Sequence, residues 1–119
     1  MPKKIKFKYL IIGSNGLLGS RLKNNLPSKD IFCIARSYSD YNCNLNNSKK
    51  LLYIFNKYKF LNVINCAAIA SVDNCEKNKK ICKKINLDFP IFLNNLSKKK
   101  NFNLIHISSD QVYSLGNKE

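Results

Sequence analysis

Three glycines, Gly13, Gly16 and Gly19, follow the apolar run Tyr9-Leu10-Ile11-Ile12. Placed between a strand and a helix, this spacing can cradle a pyrophosphate. The first glycine permits a tight turn, the second lets backbone approach the phosphates, and the third lets helix and strand pack closely. Free N–H groups at the helix N-terminus then meet the phosphate charge. Asn15 lies within the same loop and joins the candidate cofactor contact. Arg36 stands just past the next apolar run, with Ser37 and Ser39 behind it. An acid at that place would accept from a ribose 2′-hydroxyl, whereas arginine can pair with a 2′-phosphate. The expected cofactor is therefore NADP(H), favoured over NAD(H), unless Arg36 is merely a solvated surface residue. Ala67-Ala68 would let a cofactor pass close to a third strand, or would simply ease helix packing. Ser109 ends the last apolar run, where a hydroxyl can polarise a substrate carbonyl or serve as a turn or cap. His106, inside that run, is expected to point into packing.

The cysteines offer a different chemistry. Cys33, Cys43, Cys66, Cys75 and Cys82 are odd in number, contain no Cys-x-x-Cys pair and have only His106 for company. No standard zinc spacing results, so no metal site is expected. Buried thiols in a reducing compartment are. The net charge of +14 raises the question of nucleic acid, but lysines fall on nearly every predicted surface. The expectation is weak adhesion to polyanions at low salt and no specific nucleic-acid partner. No apolar run approaches the ~20 residues of a membrane span, and no signal-peptide core follows the basic start, so a cytoplasmic location is expected.

These residues need elements to hold them. The 119 residues, 45% of them hydrophobic, suffice for one small domain with a core. Residues 6–12 read as a first strand and 16–26 as a helix stopped by Pro27, with Leu17, Leu18, Leu22 and Leu26 spaced to share a face. Residues 31–35 read as a second strand, followed by a polar loop over 36–47. Ser48 is the expected N-cap of a helix over 49–58 that lays Leu51, Leu52, Ile54 and Phe55 on a sheet. Residues 63–66 read as a third strand. A helix over 78–97 presents Ile81, Cys82, Ile85, Leu87, Phe89, Phe92, Leu93 and Leu96, and Pro90 demands a kink or break within it. Residues 103–107 read as the last strand. Strands alternating with helices predict an α/β, Rossmann-type doubly wound parallel sheet, incomplete at four to five strands. Ligands of such sheets bind beyond the carboxyl ends of the strands.

In order along the chain come Gly13-x-x-Gly16-x-x-Gly19, Val63-Ile64-Asn65-Cys66-Ala67-Ala68, Ser71-Val72-Asp73-x-x-Glu76, Ile85-Asn86 and His106-Ile107-Ser108-Ser109-Asp110-x-Val112-Tyr113. Together they resemble the extended short-chain dehydrogenase/reductases, and within these the dTDP-4-dehydrorhamnose reductase branch. The resemblance implies an NAD(P)H-dependent oxidoreductase that reduces a 4-keto nucleotide-sugar substrate. Epimerase or dehydratase chemistry on the same fold, or a non-catalytic NAD(P)-binding regulatory subunit, are the alternatives. It implies cofactor contacts from Gly13, Gly16, Leu17, Leu18 and Gly19, from Arg36, from Asn44 and Leu45 near the adenine, and from Ala68, Ile69 and Ala70 near the nicotinamide. Asn44 replaces the acid usual there. The resemblance makes Asn86 structural and Ser109 catalytic, with Asp110 beside it at the sugar site, and it implies a possible homodimer of the full-length protein. The family's Tyr-x-x-x-Lys pair, in which lysine lowers the tyrosine pKa for general acid work, lies beyond Ser109. Tyr53-x-x-x-Lys57 has the spacing but falls in the second helix, and Tyr113 and Lys118 miss it by one. Residues 1–119 are therefore expected to be an N-terminal NAD(P)-binding fragment with little reductase activity alone.

Overall fold

The computed structural model describes residues 4–67 and 76–107. Strand β1 (Ile5–Ile12) is polar where it begins and fully buried where it ends. Helix α1 (Leu17–Asn25) follows, then a 3-10 turn (Ser28–Asp30) and the wholly buried β2 (Ile31–Ala35). A two-residue strand, β3 (Tyr41–Asn42), precedes α2 (Ser48–Lys57), which runs straight into β4 (Tyr58–Asn65). Beyond the next described residues come α3 (Lys79–Lys83), a π-helical turn (Lys84–Asp88), α4 (Phe89–Lys100) and β5 (Asn103–His106).

The five strands are parallel and ordered β3-β2-β1-β4-β5. The chain winds outward from β1 in one direction, then crosses to β4 and winds outward in the other. That reversal between β1 and β4 opens a crevice at the carboxyl edge of the sheet. Register makes the edge level: Ile12 pairs with Ile34 and Asn65, and Asn65 pairs with His106. The carboxyl ends of β1, β2, β4 and β5 therefore lie on one line.

Alternation along β1 divides the core. Leu10 and Ile12 face α2 and α4, where Phe32, Leu51, Phe55, Phe60, Val63 and Leu93 join one large cluster. Ile11 faces the other way, with Ile31 and Cys33, under Leu22 of α1 and Leu26 just past its end. The expected apolar stripe of α1 is only half realised. Leu22 and Leu26 pack, but Leu17 is 77% and Leu18 40% exposed. The backbone approach at Gly19 presses the helix start so close to β1 that Gly19 alone of its residues is buried.

Three other expectations are corrected. The cap of α2 is Asn47, whose Oδ1 accepts from the Lys50 N–H at 3.2 Å, and Ser48 is the first helical residue. The strand expected at 63–66 begins at Tyr58, because Lys59 and Phe60 pair with Lys6 and Phe7 of β1; in this half buried Phe60 stands between exposed Lys59 and Leu61, unlike the continuous apolar run that follows. The polar loop after β2 contains β3, held because Ile34 and Ala35 pair with Tyr41 and Asn42. The break expected at Pro90 is present. Pro90 sits in the first turn of α4, and the Phe89 N–H bonds the Lys84 carbonyl five residues back. A wide turn spares the chain the amide that proline cannot donate. It also shifts the helical phase, leaving Ile81 and Leu87 half exposed while Cys82, Phe89, Leu93 and Leu96 stay buried.

Candidate functional site

The glycine loop is set by close backbone contacts. Gly13 has φ +81°, a left-handed conformation that favours glycine, and its N–H bonds the Ile34 carbonyl at 2.8 Å. A Cβ on Gly13 would lie 2.9 Å from the Ala67 amide nitrogen, and a Cβ on Gly19 only 2.2 Å from the Gly13 carbonyl oxygen. Gly13 thus locks β1 to the loop after β4, and Gly19 lets α1 rest on the turn. Gly16 differs: a Cβ there would be 3.5 Å from its nearest protein neighbour, the Gly13 oxygen. Among the described residues nothing demands glycine at 16, so its openness fits an approach from outside. Gly16 is also the N-cap of α1 and supplies no side-chain cap, leaving first-turn N–H groups for an anion.

The loop after β2 is tied down by its own polar side chains. Asp40 Oδ2 accepts from the Cys33 N–H at 2.8 Å, and Ser39 Oγ accepts from the Ala35 N–H at 3.1 Å. Ser39 Oγ also lies 2.6 Å from Asn42 Oδ1. Ser39 therefore shapes the loop, while Arg36 and Ser37 remain exposed at its front. Asn15 donates to the Ser37 carbonyl at 2.5 Å and ties the glycine loop to this one.

Asn65 lies fully buried at the end of β4, in a role that its place in the Asn-x-Ala-Ala motif does not specify. Its Oδ1 accepts from the Ala67 N–H at 3.1 Å, and its Nδ2 stands 3.1 Å from His106 Nδ1. It fixes the turn after β4 and couples it to β5. His106, expected to point into packing, is exposed instead and serves as that partner. Its position on the outermost strand among the described residues leaves it uncovered.

A cavity of about 470 Å³ opens at this edge, lined by Gly13, Asn15, Gly16, Arg36, Ser37, Asn44, Leu45 and Ala67 among others. The structure thus brings together residues expected from the glycine loop, from the end of β2, from the loop before α2 and from the end of β4. Leu17, Leu18 and Gly19 are not among the lining residues. Lys80, Ile81, Lys84 and Ile85 line it as well; their spacing marks the lysines as a solvated surface and the isoleucines as an apolar helix face, and neither signals a site. Ala68, Ile69, Ala70, Ser109 and Asp110 lie outside the described residues, as do Ser71, Val72 and Asp73.

Cys33, Cys43 and Cys66 are free thiols. Burial pushes all three above the ordinary thiol value of 9.0, and at Cys33 the Asp40 carboxylate adds to the rise. The Ser14 hydroxyl, buried without a well-formed hydrogen bond, faces the Cys33 thiol and offsets a little of it. Cys82 is disulfide-bonded, a correction to the expectation of thiols throughout. Among the described residues no three His, Cys, Asp or Glu side chains group to hold a metal ion, and no helix is long and apolar enough to cross a membrane. Tyr53 and Lys57 do touch, with the ammonium 5.6 Å from the ring centroid and raised by a hydrogen bond to the phenol. Lys57 ends α2 where β4 begins, at the sheet edge opposite the cavity.

A level carboxyl edge, a strand reversal and a glycine turn define an α/β protein of the Rossmann type. The chain belongs to the family described as the RmlD substrate binding domain, which matches residues 7–119. It is 28% identical over 111 residues to a probable low-salt glycan biosynthesis reductase, Agl14, of Haloferax volcanii, covering 87% of this chain and 37% of that protein. A hypothetical dTDP-4-dehydrorhamnose reductase from Sulfolobus tokodaii superimposes with a TM-score of 0.75 at 30% identity over 87% of this chain and 40% of that one. A dTDP-4-dehydrorhamnose reductase from Bacillus anthracis, solved in complex with NADP, shares the fold with a TM-score of 0.74 at 23% identity, over 92% of this chain and 38% of its own. The chain thus spans well under half the length of these relatives.

Proposed function

We propose that this chain supplies the cofactor-binding part of an NAD(P)H-dependent nucleotide-sugar reductase acting on a 4-keto sugar, in the manner of a dTDP-4-dehydrorhamnose reductase. The observation that carries the reading is the cavity at the strand reversal, floored by Gly13, Gly16 and Ala67. The residues fit a dinucleotide: Gly16 leaves space for phosphate against uncapped helix amides, and Asn44 and Leu45 offer an amide and an apolar surface to a purine. Family membership and the names of the relatives support the same reading. When bound, a reduced nicotinamide would supply hydride to the sugar carbonyl. Arg36 would hold a 2′-phosphate, and the Asn65 side chain would keep the Cys66-Ala67 turn in register beneath the dinucleotide. In this reading Ala68, Ile69 and Ala70 serve the nicotinamide side, Ser109 polarises the carbonyl and Asp110 attends the sugar.

Calorimetric titration of the chain with NADPH and NADH tests the proposal. Saturable binding of either, abolished by Gly16→Glu, is the expected result. Absence of any saturable binding to the folded chain overturns it.

A further inference from the structure

The far wall of the cavity carries charge that the glycine loop does not explain. Lys80 and Lys84 are four residues apart on helical backbone, a spacing that puts both on one face, and both line the cavity. Arg36 lines it as well, from the loop after β2. Among the described lining residues there is no carboxylate, so Lys80, Lys84 and Arg36 bring three cations to one concave surface. Ile81, 48% exposed, and the half-buried Ile85 set apolar carbon beside these lysines. The cavity therefore combines an apolar surface suited to a flat ring with cations from two separate elements.

We infer that Lys80 and Lys84 are specificity determinants that act with Arg36 to select an adenosine bearing a 2′-phosphate. The inference rests on the cofactor reading above and adds to it a second, lysine-based wall. One exposed cation facing a phosphate gains little in water, because solvent and salt screen it. Several cations around one dianion in a concave site add up, and the low-dielectric walls concentrate their field. Selectivity for the phosphorylated ribose is then a property of the wall as a whole, and Arg36 alone would give only part of it.

The test is calorimetry at low ionic strength on the chain, on K80Q/K84Q and on K98Q/K99Q, with 2′,5′-ADP, 5′-AMP, NADPH and NADH as probes. Lys98 and Lys99 close α4 away from the cavity, so that variant loses equal charge elsewhere. We expect K80Q/K84Q to weaken 2′,5′-ADP and NADPH about tenfold and 5′-AMP and NADH less than about twofold, with K98Q/K99Q unchanged for all four. Equal losses for phosphorylated and unphosphorylated probes, no loss at all, or a wild-type chain that binds NADH as tightly as NADPH would overturn the inference while leaving a dinucleotide site intact. A folded chain that binds none of the four probes removes both the inference and the reading beneath it.

Discussion

The buried Asn65 amide stands 3.1 Å from Nδ1 of His106, joining the ends of two neighbouring strands, while its Oδ1 holds the Ala67 N–H. One side chain thus sets the height of the turn that floors the cavity. Asn65→Leu keeps the volume and removes both contacts, leaving the Ala67 N–H without its side-chain partner. We expect a loss of about 2 kcal/mol in urea unfolding, and nucleotide binding weakened beyond that of a surface control. His106→Ala removes one contact only, at a partly exposed site, and should cost less.

Gly19→Ala places a methyl 2.2 Å from the Gly13 carbonyl oxygen. Alanine ordinarily favours a helix by about 1 kcal/mol over glycine. Here steric overlap with backbone wins, and the expected result is destabilisation of about 3 kcal/mol with loss of the glycine turn. Gly16→Ala meets nothing closer than 3.5 Å. It should leave stability near wild type and, by filling the phosphate approach, lower affinity for a dinucleotide at least tenfold by titration.

Much of this was readable beforehand, and the failures have physical causes. Gly13, Arg36 and Ala67 announce themselves through the ends of apolar runs, and the order of strands follows from their alternation with helices. Tyr58 and Lys59 hide the start of β4 because ladder hydrogen bonds hold polar residues as readily as apolar ones. Lys80 and Lys84 were illegible because only the fold brings them to the cavity that Arg36 also lines. Leu17 and Leu18 misled because helical spacing says which residues share a face, and says nothing about whether a close turn leaves them anything to cover.

The cap of α2 separates the two readings of its start. Asn47→Ala removes the acceptor for the Lys50 N–H and should cost about 1 kcal/mol. Ser48→Ala, altering a residue already inside the helix, should leave the unfolding midpoint within about 0.5 kcal/mol of wild type.

The free thiols set a pH limit. Each has a folded-state pKa raised by burial above 9.0, so folding opposes ionisation. Their contribution is complete below pH 9.0 and is lost as pH rises from there through the folded values. Denaturation midpoints should fall on the alkaline side, and Cys33→Ala should flatten that fall. Cys66, half-buried and lining the cavity, should alkylate faster than Cys33 and be protected by NADPH.

The two faces of the sheet are unequal. Among the described residues fourteen buried side chains lie on the face shared by α2 and α4, and three lie under α1. The glycine turn therefore sits on the lightly fastened side of a firm slab. An incoming anion would do for α1 what packing does for its neighbours, supplying the grip that holds it in place. Recognition and the last stage of consolidation would then be the same event, with amide hydrogen exchange in α1 slowing only when the hollow is filled.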